Sequence, residues 1–283
     1  MATRFELVLP GKVTPGLQAA AEEALDEIER IEGQLSYYRP TSEICALNRE
    51  AGVRPVRVNL EVFRLLQLAV QLSAQTLGAF DITVAPLLRI WGFSGGASRI
   101  PSADQLSEAK SQVGCHHLLF NEENQTVRFT HPSVQIDLGS IGKGYAIDCA
   151  AGILHDHEIH SALLHGGTST VIAMGHGIDD QIWKVALPAP TGCSPREIKT
   201  VELHESALSF SACWGKSFTQ EGKTFGHVID PHTGEPTEAA QFAAVMHSSA
   251  TITDALSTAL LVRGSSFLPH LQSHYPNLRA WVG

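Results

Sequence analysis

The stretch VQIDLGSIGKGYAID, residues 134–148, combines a predicted strand end, a glycine-rich turn and the start of a helix. Its first residues alternate as in a short strand that stops at Asp137. Three glycines follow, with Lys143 between the last two, and apolar residues then recur at helical spacing after Gly144. The stretch therefore predicts a strand-to-helix turn built around one lysine.

The turn around Lys143 has two interpretations. A glycine-rich turn that enters a helix leaves backbone N–H groups free to meet phosphate oxygens, and the helix dipole favours negative charge there. Lys143 would add a positive charge to such a site. The alternative is a tight connection whose glycines serve backbone geometry alone.

The turn matches neither of two common phosphate-binding patterns. A P-loop requires a glycine five residues before the Gly-Lys pair and Ser or Thr after the lysine, but those positions hold Asp137 and Gly144. The glycine order also departs from the G-x-G-x-x-G of Rossmann folds. A phosphate site here would belong to another family.

The segment ITDALSTALLVRG, residues 252–264, predicts a helix that begins at Thr253. Ser257 and Thr258 follow Asp254 by three and four residues, the helical spacing that brings side chains onto one face. A carboxylate with hydroxyls suits a hard cation such as Mg²⁺. The alternative is a capped helix start, with Thr253 as N-cap and Thr258 bonding back to the preceding turn.

The segment GHVIDPHTGEP, residues 226–236, predicts a turn after a short strand over residues 225–229. His227 lies in that predicted strand. A histidine here would suit a general base because its ordinary pKa lies near neutrality. It would equally suit a hydrogen-bonded strand position.

Composition excludes several classes of function. The 283-residue chain has 20 Lys and Arg against 29 Asp and Glu, a formal charge of −9, and no basic run, so no nucleic-acid partner is expected. No apolar stretch is long enough for a membrane span. We see no signal peptide and expect a cytoplasmic protein, unless a leader has been removed. The scattered cysteines indicate neither a disulfide framework nor a zinc site: Cys45, Cys115, Cys149, Cys193 and Cys213.

Apolar periodicity predicts helices and strands without a strict βαβα order, which favours an α+β fold over a doubly wound sheet. The predicted helices cover residues 15–35, 60–77, 102–113, the run after Gly144, and 253–263. The predicted strands cover residues 118–120 and 127–129 as a hairpin, 161–172, 182–187, 201–204 and 207–211. Residues 36–48 and 78–93 are expected to be loops.

Taken together, these segments resemble the family of FAD:protein FMN transferases, the ApbE-type flavin transferases. LSYYRPTSEICALN, residues 35–48, is similar to the family's L-S-x-Y-R-P-x-S-E-I-x-x-L-N. TLGAFDITVAPLLRIWGF, residues 76–93, is similar to its T-x-G-A-F-D-x-T-V-x-P-L-x-x-x-W-G-F. The segments around Lys143, His227 and Asp254 follow in the family's order. The resemblance runs through nearly the whole chain and implies a single domain over residues 1–283.

The resemblance implies a two-lobed α+β fold with mixed sheets and flanking helices, which holds FAD in a cleft between the lobes with Mg²⁺ at the pyrophosphate. Carried over position by position, the residues contacting the flavin nucleotide would be Tyr38, Ala79, Phe80, Asp81, Asp137, Lys143 and Val228. The metal ligands would be Ser140, Asp254, Ser257 and Thr258.

The implied reaction cleaves FAD between its phosphates. FMN passes to a Thr or Ser hydroxyl of an acceptor protein and AMP leaves. Lys143 and Mg²⁺ would offset the developing charge, and His227, or a carboxylate near it, would take the proton of the acceptor hydroxyl. Two alternatives stay open: a Mg²⁺-dependent FAD pyrophosphatase that releases FMN and AMP, and a non-catalytic FAD-binding protein.

The chain departs from the family pattern in two places. Where an N-x-G-G-D turn is usual, it reads LLHGGTSTVIAMG, so that His165 and Thr168 stand near the common Asn and Asp positions. FSACW, residues 210–214, replaces the usual T-S-G turn and places Ala212 where glycine is expected. These departures bear on catalysis more than on the fold or flavin binding.

Overall fold

The computed structural model describes residues 3–188 and 199–283. The helices are α1 (Pro15–Leu35), α2 (Glu43–Glu50), α3 (Leu60–Gln75), α4 (Ala85–Ile90), α5 (Ala103–Lys110), α6 (Gly142–Asp156), α7 (Ala250–Arg263) and α8 (Leu268–His274). The strands are β1 (Phe5–Val8), β2 (Val56–Arg57), β3 (Leu118–Asn121), β4 (Thr126–Phe129), β5 (Ala162–Gly166), β6 (Thr170–Met174), β7 (Trp183–Ala186), β8 (Thr200–Leu203), β9 (Ser206–Ala212), β10 (Ser217–Gln220), β11 (Lys223–Gly226), β12 (Phe242–His247) and β13 (Arg279–Val282).

The main sheet has the strand order β1-β5-β6-β9-β12-β13, and every neighbouring pair is antiparallel. The side chains of strand β9 show how the two faces of this sheet differ. Ala207 packs in the main core, and Ser209 and Ser211 bond to hydroxyls of α7 on that same face. Leu208 and Phe210 pack in a second apolar cluster on the opposite face. The alternation along one strand thus separates two cores.

Helix α6 packs against both α1 and α7, and its contact with α7 is unusually close. A Cβ added at Gly144 would lie 2.1 Å from the carbonyl oxygen of Ala250, so only glycine fits there. Further along α6, the carboxylate of Asp148 accepts hydrogen bonds from the backbone N–H groups of Ala250 and Thr251, at 2.8 and 2.9 Å. One helix therefore satisfies the free amide groups at the start of the other and fixes their register.

Several predicted helix starts are confirmed, and one is wrong. Thr14 caps α1, with proline in its first turn, and Ser102 forms a capping box with Gln105 at α5. The last long helix begins at Ala250, with Ser249 as its N-cap, instead of at Thr253. Ser249 Oγ accepts from the Ile252 N–H at 3.3 Å, and Asp148 of α6 supplies acceptors for the two amides before it.

The predicted strand over residues 134–136 is not part of any sheet. Its backbone is bonded by a side chain instead: the Ile136 N–H donates to Oδ1 of Asn48 at 2.7 Å, and Asn48 Nδ2 donates back to the Ile136 carbonyl at 2.9 Å. The next amide, that of Asp137, donates to the Ile82 carbonyl at 2.7 Å. The hydrogen-bond partners of this segment therefore come from a helix, through Asn48, and from a loop, through Ile82, and not from a neighbouring strand.

The other corrections concern segment boundaries. The segments predicted as loops contain α2 and α4, and the strand predicted over residues 161–172 is the hairpin β5-β6, which turns at Gly167 with φ +61°. His227 follows β11 directly and is not inside a strand.

Four cysteines are free thiols, while Cys193 lies outside the described residues. None of the described helices has the length and apolar character needed to cross a membrane.

Candidate active site

A cleft of about 860 Å³ opens beside the start of α6 and brings together segments far apart in the sequence. Its walls include residues from the loop after α1, the 79–93 segment, the turn before α6, strand β9, the segment after β11, and α7. Of the residues predicted for the site, the following line it: Tyr38, Ala79, Asp81, Asp137, Ser140, Lys143, His227, Val228, Asp254 and Thr258. Phe80 and Ser257 do not, since both are buried in the core behind the wall.

The central feature of the cleft is an ion pair between Lys143 and Asp254. Lys143 Nζ lies 3.2 and 3.3 Å from the two carboxylate oxygens of Asp254 and 3.0 Å from the carbonyl of Gly139. The carboxylate also accepts from the backbone N–H of Gly144 at 3.1 Å and from Oγ1 of Thr170 at 3.3 Å. The aspartate is 4% exposed, so its charge is held by these three donors at the cleft wall.

The three glycines of the turn do not present the free amide groups that were predicted. Gly139 N–H donates to Asp137 Oδ1 at 2.8 Å, and Gly142 N–H donates to the Leu138 carbonyl at 2.7 Å. With Gly144 bonded to Asp254, these three amides are satisfied within the protein. The glycine amides are therefore not available to a ligand, whereas the Lys143 ammonium lines the cleft.

The predicted metal ligands divide into two groups. Ser140, Asp254 and Thr258 line the cleft. Ser257 is completely buried, and its hydroxyl lies 2.8 Å from that of Ser211 and donates to the Asp254 carbonyl at 3.0 Å. The three α7 side chains were predicted to share one face, but only Asp254 and Thr258 face the cleft, while Ser257 points to the sheet.

His227 stands at the cleft with its ring oriented by the backbone. Nδ1 lies 3.1 Å from the Lys216 carbonyl, and because a carbonyl only accepts, Nδ1 carries the proton in this bond. Nε2 then carries the lone pair. Burial lowers the pKa of His227, and the nearby Lys216 and Lys143 charges act in the same direction. A neutral imidazole with a free Nε2 is the form that a general base requires.

The carboxyl group of Asp137 is the second titratable group perturbed in the cleft. Burial raises its pKa, while the hydrogen bond from Gly139 and the charges of Lys216 and Lys143 oppose the rise. Asp137 lies at the end of the segment that leads into the turn, so its carboxylate and the Lys143 ammonium face the same space.

The residues predicted to contact the flavin nucleotide behave differently from one another. Tyr38 is 65% exposed and meets Tyr37 edge-on, with ring centroids 5.3 Å apart. The Asp81 carboxylate accepts from the backbone N–H groups of Thr83, at 2.7 Å, and Cys115, at 3.1 Å. Asp81 therefore shapes its loop, whereas Tyr38 offers an open aromatic ring to a ligand.

Sequence reasoning missed the hydroxyl groups behind Asp254, which belong to Thr170, Ser209 and Ser211. All three lie on the core-facing side of their strands, which also carries the apolar residues Ile172 and Ala207. Polar residues at alternating, core-facing positions of predicted strands are a signal that could have revealed them.

At the departures from the family pattern, Thr168 and Ala212 both line the cleft. His165 does not reach it: its Nε2 lies 3.2 Å from Glu6 Oε2 and its Nδ1 lies 3.1 Å from the Gly167 carbonyl. His165, near the usual asparagine position, is thus bonded to β1, while Thr168, near the usual aspartate position, lines the cleft.

Comparison with known proteins decides which family carries this cleft. The ApbE family model matches residues 1–282. The chain belongs to the ApbE family. A relative from Haemophilus influenzae, named FAD:protein FMN transferase, is 30% identical over 267 residues, covering 88% of this chain and 75% of the relative. An Escherichia coli K12 protein of the same name is 29% identical over an alignment that covers 93% of this chain and 76% of that protein.

Solved ApbE structures share the fold over almost the whole chain. The apo form of Pseudomonas stutzeri flavinyl transferase ApbE superposes with a TM-score of 0.85 at 29% identity and covers 98% of this chain and 86% of that one. The ApbE protein of Thermotoga maritima superposes with a TM-score of 0.87 at 28% identity and covers 99% of this chain and 90% of that one. The α+β ApbE-like fold predicted from the sequence is therefore confirmed.

Proposed function

We propose that this protein transfers FMN from FAD to a Thr or Ser hydroxyl of an acceptor protein, with Mg²⁺ as the required cation and AMP as the second product. The observation that carries the proposal is the Lys143–Asp254 pair, which places a cation and a carboxylate at one point of the cleft beside His227. The names of the ApbE relatives support the transferase reaction.

The cleft has the size and lining expected for a dinucleotide. A volume of about 860 Å³ lies at the upper end of ordinary small-molecule sites. Tyr38, Ala79 and Val228 supply an apolar and aromatic part of the wall, which suits a flavin ring. Lys143 stands among polar residues and suits the diphosphate.

The oxygen groups at the cleft wall fit a Mg²⁺ ion. Asp254 supplies a carboxylate, while Thr258 and Ser140 supply hydroxyls, and Mg²⁺ takes one or two carboxylates and completes its shell with water and substrate phosphate oxygens. The described residues contain no group of three or more His, Cys, Asp or Glu side chains that would form a closed site of another type. The Lys143 ammonium beside Asp254 shows that this carboxylate accommodates a positive charge. When bound, the ion would neutralise charge on the phosphoryl oxygens.

The chain's own residues supply binding and proton transfer. Lys143 holds the diphosphate oxygens of FAD. Nε2 of His227 accepts the proton of the acceptor hydroxyl, whose oxygen forms a bond to the phosphorus of the FMN phosphoryl group. The bond from that phosphorus to the bridging oxygen breaks, and AMP leaves with the electron pair.

The test is incubation of the purified protein with FAD, Mg²⁺ and a library of Thr- and Ser-containing peptides, followed by mass spectrometry. A peptide carrying FMN, with one AMP released per FMN attached, is the expected result. Release of FMN and AMP in equal amounts with no modified peptide would identify a pyrophosphatase. FAD binding with no products would identify a flavin-binding protein, and no FAD binding would reject the site.

A further inference from the structure

A chain of buried hydroxyl groups runs from the main sheet to the Asp254 carboxylate. Thr170 Oγ1 donates to Asp254 Oδ1 at 3.3 Å, Ser209 Oγ lies 3.3 Å from Thr170 Oγ1, and Thr253 Oγ1 lies 2.8 Å from Ser209 Oγ. Thr170, Ser209 and Thr253 are 2%, 1% and 0% exposed. Three polar side chains therefore meet in a part of the core that excludes water.

The strand register brings these groups together. Thr170 of β6 and Ser209 of β9 are directly opposed across the antiparallel pair, so their side chains stand on the same face of the sheet. The same face carries Ile172 and Ala207, both in the main apolar core. The hydroxyls thus occupy positions where the neighbouring residues of the same strands are apolar.

The protons of the network can be assigned from its acceptors. Thr253 Oγ1 donates to the Ala250 carbonyl at 3.0 Å. Ser209 Oγ, which lies 2.8 Å from Thr253 Oγ1, donates to Thr170 Oγ1 at 3.3 Å. The proton of Thr170 is then directed at Asp254, because a carboxylate is the strongest acceptor within its reach. Each hydroxyl donates once, and none is left unsatisfied.

We propose that Thr170 is a positioning residue for Asp254. This inference rests on the proposed function, since it explains how the carboxylate is oriented for the cleft. Thr170 holds Oδ1 from the sheet, and the Gly144 N–H holds Oδ2 from α6. Two fixed donors on different elements prevent rotation of the carboxylate about its χ2 angle and leave its remaining lone pairs toward Lys143 and the cleft.

The alternative is that these hydroxyls only satisfy one another in the core. The two possibilities differ in what happens when the Thr170 hydroxyl alone is removed at constant side-chain shape. If the hydroxyls only satisfy one another, its removal should lower stability and change nothing else. If Thr170 positions Asp254, its removal should also let the Asp254 carboxylate turn and weaken cation binding.

The test compares three variants. Thr170→Val removes the hydroxyl at similar volume, and Thr170→Ser restores it. The control is Thr237→Val, because Thr237 is also buried and donates to the carbonyls of Leu261 and Val262 at the C-terminal end of α7, and it does not line the cleft. Each variant is crystallised, its thermal unfolding is recorded, and its dissociation constant for Mn²⁺ is measured by electron paramagnetic resonance in the presence of FAD.

We expect the Asp254 carboxylate of Thr170→Val to rotate away from its wild-type orientation and the Mn²⁺ dissociation constant to rise roughly tenfold, as for loss of one hydrogen bond to a charged group. Thr170→Ser should restore both, and Thr237→Val should change only the unfolding temperature. An unmoved carboxylate in the Thr170→Val crystal, or a Mn²⁺ dissociation constant equal to wild type, would overturn the proposal. If wild-type protein neither binds Mn²⁺ nor modifies a peptide, the proposed function fails, and the carboxylate orientation in the crystals still decides the role of Thr170.

Discussion

Lys143 Nζ lies 3.2 Å from Oδ1 of Asp254, although the two residues are 111 positions apart in the chain. The pair forms because α6 and α7 are held in one register by Gly144, which permits close approach, and by Asp148, which caps the second helix. Their side chains are 19% and 5% exposed, so the pair is shielded from water and salt more than a surface pair would be.

Replacement of Lys143 by Ala should weaken FAD binding by about 1–3 kcal/mol, because the variant loses a charged hydrogen bond to phosphate. The measurement is isothermal titration of FAD into each protein. Lys223→Ala is the matched control, since Lys223 pairs with Glu238 on the surface and does not line the cleft. Equal FAD affinity in Lys143→Ala and wild type would remove Lys143 from the site.

Replacement of Asp254 by Asn should abolish Mg²⁺-dependent turnover while the protein stays folded. Removing one partner from a fully buried ion pair costs roughly 3–5 kcal/mol, but Lys143 at the cleft wall can turn toward solvent, so we expect a smaller loss of unfolding free energy. FMN transfer is measured over a range of Mg²⁺ concentrations, together with thermal unfolding. Asp26→Asn, on an exposed position of α1, is the control. Unchanged activity in Mg²⁺ would contradict the metal assignment.

The pH dependence of transfer should have an acid limb set by His227. The base must be neutral, so kcat/KM rises as pH increases through the pKa of this imidazole and is level above it. Burial lowers that pKa, so half-maximal activity should occur below about pH 6.5, the ordinary value for histidine.

His227→Gln should remove this limb and lower the rate by about 10²- to 10⁴-fold. His247 is the control: burial also lowers its pKa, but it packs against Tyr275 and does not line the cleft. A profile that moves in His247→Gln and not in His227→Gln would show that another group is the base.

Two alanine substitutions in α6 should have opposite effects on stability. Gly144→Ala places a Cβ 2.1 Å from the Ala250 carbonyl, so α6 and α7 must separate at a cost of about 1–3 kcal/mol or more, and FAD binding should weaken with it. Gly152→Ala meets no atom within 4 Å and should stabilise the same helix by about 0.5–1 kcal/mol. Denaturant unfolding measures both changes. Equal stability of the two variants would show that the close helix contact does not constrain the site.

Much of the local structure could be predicted from the sequence. The caps of α1 and α5, the hairpin of β3 and β4, and the oxygen-bearing face of α7 were all foreseen, because each depends on residues a few positions apart. The family resemblance added the order of the segments around Lys143, His227 and Asp254, which the structure brings to one cleft.

The start of α7 shows where local reasoning fails. Thr253 has the side chain of an N-cap, but the helix begins a turn earlier, where Ser249 caps it and Asp148, on another helix, accepts from its first two amides. Asn48 likewise replaces the predicted strand partner of Ile136. These hydrogen bonds join residues 102 and 88 positions apart, which no short stretch of sequence contains.

By itself, the sequence determined most of the long helices, the place of Lys143 in a glycine-rich turn, and the presence of a carboxylate and hydroxyls near the start of α7, since these follow from residue identity and short-range spacing. Only the tertiary structure decided that Lys143 pairs with Asp254, that Ser257 points to the sheet, and that Thr170 reaches the carboxylate. Those contacts depend on strand register and helix approach, which are set by packing across the whole core and not by any local pattern.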